Sequence, residues 1–371
     1  MKLSIQVKCI QSLDDESLWP LWQRLEQDAY HTVFQSSWYM KPLLEIVAPA
    51  NDAQPCIVMV FEQGQETPFM LIPFVRLRRH GQRVVTQADF DLCDYCAPIL
   101  RRRDDWEHVD IHAIWKQVLA ALPANDVLSI KKMPTHIETL ANPLSRLSEA
   151  ELMGVSTMRL QPGMTELPSK VLREVRYKLR KLDQDGGLEE VIAERPEDLR
   201  ELLDCAIKQR ADRCEELKIE NILENPEINA FYRALIDSSG DGAAVVGYGL
   251  KQADSFVAVS LGIVVNNIFN GLILSIGDHT TRRYSPGICV ATRQLQWAAE
   301  SGCNYCDMGV GGSAYKSKFG GDVTELMELE LSLSPIGVAG TSFLRARRKL
   351  RIGLKSYPQL NHQVRRLIGK V

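Results

Sequence analysis

Two short stretches carry most of the residues in this chain that could do chemistry. The first runs Asp278-His-Thr-Thr-Arg-Arg-Tyr-Ser-Pro-Gly-Ile288. Ser285 suits a helix N-cap and Pro286 the first helical position. The backbone N–H groups of Ser285, Gly287 and Ile288 would then face a phosphate-sized anion, with Arg282 and Arg283 adding positive charge. The second runs from Asp307 through a glycine-rich turn to Tyr315 and Lys316. Acyl transfer to an amine needs a base for the ammonium proton, an acid for the leaving thiolate and a donor at the oxyanion. Asp278, His279 or Asp307 could be the base, Tyr315 or Tyr284 the acid, and Lys316 the group at the oxyanion or the acceptor.

Positioning these residues requires a particular order of elements. Apolar runs at 256–265 and 268–276, separated by Asn266-Asn267, read as strands joined by a two-residue hairpin. Ile288, Thr292, Leu295 and Ala299 share one stripe of the next helix, Gly302 sits where a C-cap glycine would, and residues 305–309 read as a short buried strand. The wider chain repeats an element order. Residues 1–160 read as a strand, two helices, three strands, a helix at 106–122, a strand, and a short strand at 157–160. Residues 163–340 read as a helix at 169–182, a strand at 188–193, two helices, three strands, the Ser-Pro-Gly helix and two strands. Gln161-Pro-Gly163 is the expected linker, so the expected domains are 1–162 and 163–340, followed by a basic tail at 341–371. The first copy has Arg101-Arg-Arg-Asp-Asp where the second has its Ser-Pro-Gly turn, so only the second is equipped for a cofactor.

Composition narrows the class. The chain has 371 residues, 45% hydrophobic and 25% charged, ordinary for globular domains. It lacks an 18-residue apolar run and an N-terminal signal pattern, so a cytoplasmic protein is expected. Net charge is −3, yet residues 341–371 hold nine Lys or Arg and no acid, leaving 35 basic against 47 acidic residues elsewhere. That tail reads as a terminal helix complementing an acidic body, or as a contact to anionic lipid at the inner face of the membrane. The pairs Cys93/Cys96 and Cys303/Cys306 could in principle bind zinc, but strand alternation separates each pair, so free core thiols and no metal are expected. The letters Gly309-x-Gly311-x-x-Ala314 mimic a dinucleotide fingerprint without room for the crossover helix it needs. The helix at 169–182 shows a basic stripe that includes Lys178, read either as a solvated face or as a phosphate or glycan contact. Nucleic-acid binding has no supporting motif.

Asp278 with Tyr284-Ser-Pro-Gly287, Ala298-Ala-Glu-Ser-Gly302, Asp307-Met-Gly-x-Gly311 and Tyr315-Lys-x-x-Phe319 resemble the carboxyl half of BioF2-like acetyltransferases. This is the CelD-type branch of the GNAT superfamily, related to the FemAB aminoacyltransferases. Val33-Phe-Gln-Ser-Ser-Trp38, Leu71-Ile-Pro-Phe74, Asp94-Tyr95, Leu179-Arg-Lys-Leu182 and Gln209-Arg210 resemble its other regions, so the likeness covers most of residues 30–335. Ser313 departs from an acidic residue common in that family. The resemblance implies an α/β (α+β) fold of tandem GNAT-like domains with mixed sheets flanked by helices. It implies acetyl-CoA or a longer acyl-CoA in the second domain, its pantetheine along 268–276 to Ile276 and its pyrophosphate at Arg282–Gly287. The expected activity is transfer of an acyl group from acyl-CoA to an amine of an amino sugar or amino acid, in exopolysaccharide or cell-envelope synthesis. The alternatives are a FemAB-like transferase using aminoacyl-tRNA, or a non-catalytic accessory protein of a polysaccharide synthase.

Overall fold

The computed structural model describes residues 4–160, 167–240, 242–277, 279–310 and 315–340, with the backbone alone at 154–159. Asp278 and the basic tail at 341–371, both singled out in the sequence, lie outside the described residues.

A 14-stranded mixed sheet runs through both halves of the chain. In the first half Ile5–Ile10, Gln54–Glu62, Met70–Arg79 and Gln82–Gln87 pair antiparallel in turn, and Gln82–Gln87 then pairs parallel with Val127–Pro134. In the second half Glu189–Ala193, Ala243–Gln252, Ser255–Val265 and Ile268–Ile276 do the same, and the last pairs parallel with Tyr305–Val310. The repeat of element order read in the sequence is therefore a repeat of topology. Asn266 and Asn267 both have positive φ, the geometry of the tight hairpin their letters indicated.

The halves exchange their last strands. Asp322–Ser332 from the second half pairs with Val127–Pro134 of the first, while Ala150–Leu160 from the first pairs with Tyr305–Val310 of the second. These two exchanged strands also pair with each other, which makes one sheet of two. The strand expected at 157–160 is thus longer, because its N-terminal part finds a partner that only the far end of the chain supplies. The expected boundary at 162/163 is crossed by backbone hydrogen bonds in both directions.

Helices cover both faces. Leu18–Glu26, Ser37–Pro42, Pro196–Leu217 and Pro226–Asp237 pack on one face around a core shared by the two halves, where Tyr39 and Phe231 meet edge to face at 5.2 Å. On the other face Ser169–Gln184 buries Val171, Val175, Leu179 and Leu182, spaced for one helical stripe, and packs on Pro286–Glu300. The helix expected at 106–122 begins at Ile111, preceded by a separate turn at Trp106–His108, because Asp110 caps it by accepting from the Ala113 N–H. No helix among the described residues is long and apolar enough to cross a membrane.

Strand exchange makes the halves interdependent. A chain ending at residue 162 is expected to show no cooperative thermal transition by circular dichroism, and co-expression with 163–371 to restore a soluble complex. A sharp transition in the isolated fragment would contradict this account.

Candidate active site

The strands Ile268–Ile276 and Tyr305–Val310 pair over only three positions, from Ile268↔Tyr305 to Asn270↔Asp307, and then part. A bulge at Leu272, where Leu261↔Ile273 is followed by Gly262↔Gly271, bends the first strand at this point. The parting opens a cleft of about 160 Å³ bordered by Gly271, Leu274, Met308, Tyr315, Ser260 and Asp94. On the other side of the same step, Asn270 and Asp307 border a chamber of about 1100 Å³ between the two halves. Cleft and chamber thus meet back to back where the pairing ends.

The first half contains the same parting, because Gln82–Gln87 and Val127–Pro134 also pair in parallel over three positions. There the chain fills the gap itself. The loop that follows Gln87 is fastened by the Cys96 N–H to the Lys132 carbonyl (3.0 Å) and by the Gln87 side-chain amide to the Ala97 carbonyl (3.0 Å). Lys132 Nζ donates to Asp89 Oδ1 and to the Cys93 carbonyl, both at 2.8 Å. The Tyr39 hydroxyl donates to the Leu92 carbonyl (2.6 Å) and Gln35 Nε2 to the Tyr95 carbonyl (2.8 Å). So held, the loop projects Asp94 and Tyr95 into the open gap of the second half.

Two carboxylates converge there on Gly309. Asp307, 2% exposed, accepts from the Gly309 N–H (2.8 Å) and from the Tyr95 hydroxyl (2.6 Å). Asp94 accepts from the Val310 N–H, and a β-carbon on Gly309 would lie 2.2 Å from its Oδ2. Gly309 also has φ +71°, so both backbone and space demand glycine. Burial, and next the charge of Asp307, raise the Asp94 carboxyl to about 6. Asp94 resembles a family motif in the sequence, but only the fold brings residue 94 to residue 309.

Lys316 and Tyr315 complete this corner. Lys316 Nζ donates to the carbonyls of Met308, Gly309 and Val310 at 2.6, 3.1 and 3.1 Å. Three acceptors use all three ammonium protons, so the expected hydrogen bond from Lys316 to an oxyanion has no donor left. Its positive charge remains, although burial lowers its proton affinity. Tyr315 borders the cleft, packs edge to face on Phe319, and is kept protonated by burial.

The anion turn also differs from its sequence reading. Ser285 adopts a left-handed conformation, φ +51°, and its side chain makes no capping bond; its Oγ instead accepts from Lys178 Nζ at 2.9 Å. The Ser285 N–H already donates to the Arg282 carbonyl at 2.9 Å and the Ile288 N–H to the Ser285 carbonyl at 3.0 Å, so of the three backbone donors expected at the anion only that of Gly287 is left to a ligand. Arg282 forms a two-pronged ion pair with Glu216 (3.0 and 3.1 Å), and Arg283 pairs with Asp185 at 2.8 Å. Both arginines therefore face acids rather than an empty anion site. Arg282 and Arg213 hold the Glu216 carboxyl at about 2. Lys178, from another helix, also brings its charge to the turn and is shared with Glu174 at 2.6 Å. Pro286 has no N–H, and Gly287 packs so closely on Ile276 that a β-carbon would lie 2.8 Å from Ile276 Cδ1. The matching helix of the first half is closed by the Asp110 cap, whereas this one has no side-chain cap.

Residues 169–317 match the acetyltransferase (GNAT) domain family. No curated protein sequence matches significantly. Among solved structures, FemX superposes with a TM-score of 0.55 at 10% identity, covering 83% of this chain and 94% of FemX. A tandem GNAT protein from the clavulanic acid biosynthesis pathway gives 0.51 at 10% identity, covering 90% of this chain and 99% of that one. The C-terminal DUF2156 domain of an Agrobacterium fabrum protein described as a lysylphosphatidylglycerol synthetase gives 0.52 at 13% identity, covering 81% and 94%. At such identities these likenesses show the fold, which is the mixed α/β GNAT fold expected from the sequence. The GNAT match spans the anion turn, Asp307 and Lys316, and the carboxylate Asp94 reaches the same site from outside it.

The charge on Asp94 has a consequence for stability. Its carboxyl is raised in the folded state, so its penalty is absent below about pH 4 and complete above about pH 6. Asp94→Asn is expected to raise the melting temperature at pH 8, by an amount corresponding to at most about 3 kcal/mol, and to leave it unchanged at pH 4. Gly309→Ala is expected to destabilise by about 1–3 kcal/mol through positive φ and the clash with Asp94. Melting curves of the two variants across pH check both; an Asn variant less stable than the parent at pH 8 contradicts the strained-carboxylate reading.

Proposed function

We propose that the protein is an N-acyltransferase of the BioF2-like, CelD-type branch that moves an acyl group from a CoA thioester to an amine. The observation that carries this reading is the open parting between Gly271 and Met308, with Asp94 raised to about 6 at its edge. The GNAT match supports a thioester donor there, and the Gly287 N–H at a helix start without a side-chain cap, with Lys178 beside it, suits its phosphates. The first-half gap is plugged by its own loop, which leaves one donor site per chain.

In this reading the amine nitrogen attacks the thioester carbonyl carbon and a C–N bond forms. Asp94 takes the ammonium proton; its raised proton affinity suits a base near neutral pH. As the tetrahedral intermediate collapses, the C–S bond breaks and the Tyr315 hydroxyl protonates the departing thiolate. Asp307 holds the Tyr95 hydroxyl and the Gly309 N–H, which fixes the strand end at the rim of the cleft. The positive charge of Lys316, caged by three carbonyls, stiffens the strand end rather than donating to the oxyanion. An amine on an amino sugar or amino acid, used in exopolysaccharide or envelope assembly, is the acceptor this reading carries forward.

Thiol release from acetyl-CoA should fall below about pH 6 as Asp94 gains its proton. Asp94→Asn should lower kcat about 10²–10⁴-fold while calorimetric acetyl-CoA affinity stays unchanged. Lys178→Ala should do the reverse, weakening acetyl-CoA about tenfold with little change in kcat. An Asp94→Asn enzyme with parental kcat, or a protein that ignores CoA thioesters and binds aminoacyl-tRNA, sinks this proposal.

A further inference from the structure

We infer that the chamber between the halves is the acceptor site and that it takes a polyhydroxylated amine, an amino-sugar unit of a glycan. This rests on the reading that the neighbouring cleft holds the thioester.

Position supports it first. The chamber and the cleft are separated by a single residue step, Asn270 to Gly271 on one strand and Asp307 to Met308 on the other. Tyr95 and Asp307 border the chamber, Asp94 borders the cleft, and the two carboxylates meet Gly309 from these two sides. Size supports it next. About 1100 Å³ exceeds what a free amino acid fills and suits a ligand of two or more sugar rings.

The lining chemistry decides the class. A sugar ring offers an apolar face and a rim of hydroxyls, each both donor and acceptor, so it is recognised by an aromatic plate beside carboxamides and carboxylates. Trp38 and Tyr305 supply the aromatic surface, and Asn266 and Asn304 lie exposed on the same wall. Trp38 is braced by its indole N–H on the Ser238 carbonyl (2.9 Å), which keeps it upright at the junction of the halves.

Charge then selects an ammonium over a phosphate. The arginine of the described lining, Arg102, is paired with Glu138 at 2.6 Å and lies over the Tyr30 ring at 4.4 Å. His31 Nδ1 is engaged with the Thr32 carbonyl at 3.1 Å. Glu26, held by the Ser37 N–H at 2.7 Å and the Ser37 hydroxyl at 3.0 Å, and Asp307 add carboxylates to the wall, which favours a cationic amine over a phosphorylated ligand.

The test uses the full-length protein without any donor. Binding of a β-1,4-linked glucosamine tetramer, of cellotetraose and of lysine is measured by calorimetry and saturation-transfer NMR. The glucosamine tetramer is expected to bind, cellotetraose at least tenfold more weakly, and lysine more weakly still. Asn304→Leu and Trp38→Ala should each weaken the tetramer at least tenfold and leave acetyl-CoA affinity unchanged. The inference is overturned if no sugar binds, if lysine binds as well as the tetramer, or if neither substitution alters tetramer binding. Tetramer binding without any acetyl-CoA binding would leave this inference standing and remove the donor reading instead. Acetyl-CoA binding without tetramer binding would do the opposite.

Discussion

Two parallel strands that pair over three residues and then part leave backbone polar groups that something else must satisfy. Most of this molecule is arranged around that requirement. In the first half the loop after Gln87 closes the gap, with Lys132 bridging Asp89 and the Cys93 carbonyl. In the second half the end of Tyr305–Val310, beyond its pairing with Ile268–Ile276, takes side-chain partners among the described residues. Lys316 takes three carbonyls, Asp307 takes the Gly309 N–H and Asp94 the Val310 N–H. The same bonds that make the open strand tolerable also place two carboxylates and a cation at its rim.

Strand exchange couples the two gaps. Asp322–Ser332 and Ala150–Leu160 lie side by side in the middle of the sheet, each pairing with the half it did not come from. The plug of the first gap and the wall of the second are therefore built on one continuous sheet. A loop that in one half replaces a ligand becomes, in the other, the source of Asp94 and Tyr95. Asymmetry at the helix starts follows the same division of labour, with Asp110 closing one N-terminus and Ser285 leaving the other without a side-chain cap.

Much of this was legible in the chain itself. The Asn266-Asn267 hairpin, the helix beginning at Pro286 and ending before Gly302, and the doubled element order all follow from local periodicity and turn chemistry, which act over a few residues. What was misread depends on distant partners. Arg282 and Arg283 looked available beside the anion turn because Glu216 and Asp185 are far away in sequence. Ser285 looked like a cap because its letters fit one, while Lys178 from another helix claims its hydroxyl. Lys316 looked like a donor until the strand end folded back over it. Asp94 had a motif but no visible destination, and its raised proton affinity arises only when it is buried against Asp307.

The account stands most directly on where a thioester donor lies. A crystal structure of the protein with a non-hydrolysable acyl-CoA thioether should show its acyl carbonyl between Gly271 and Met308, within reach of Asp94 and Tyr315, and its phosphates beside Lys178 and Gly287. A donor lodged in the first-half gap, or phosphates bound away from the Ser285 turn with the cleft closed, would contradict it.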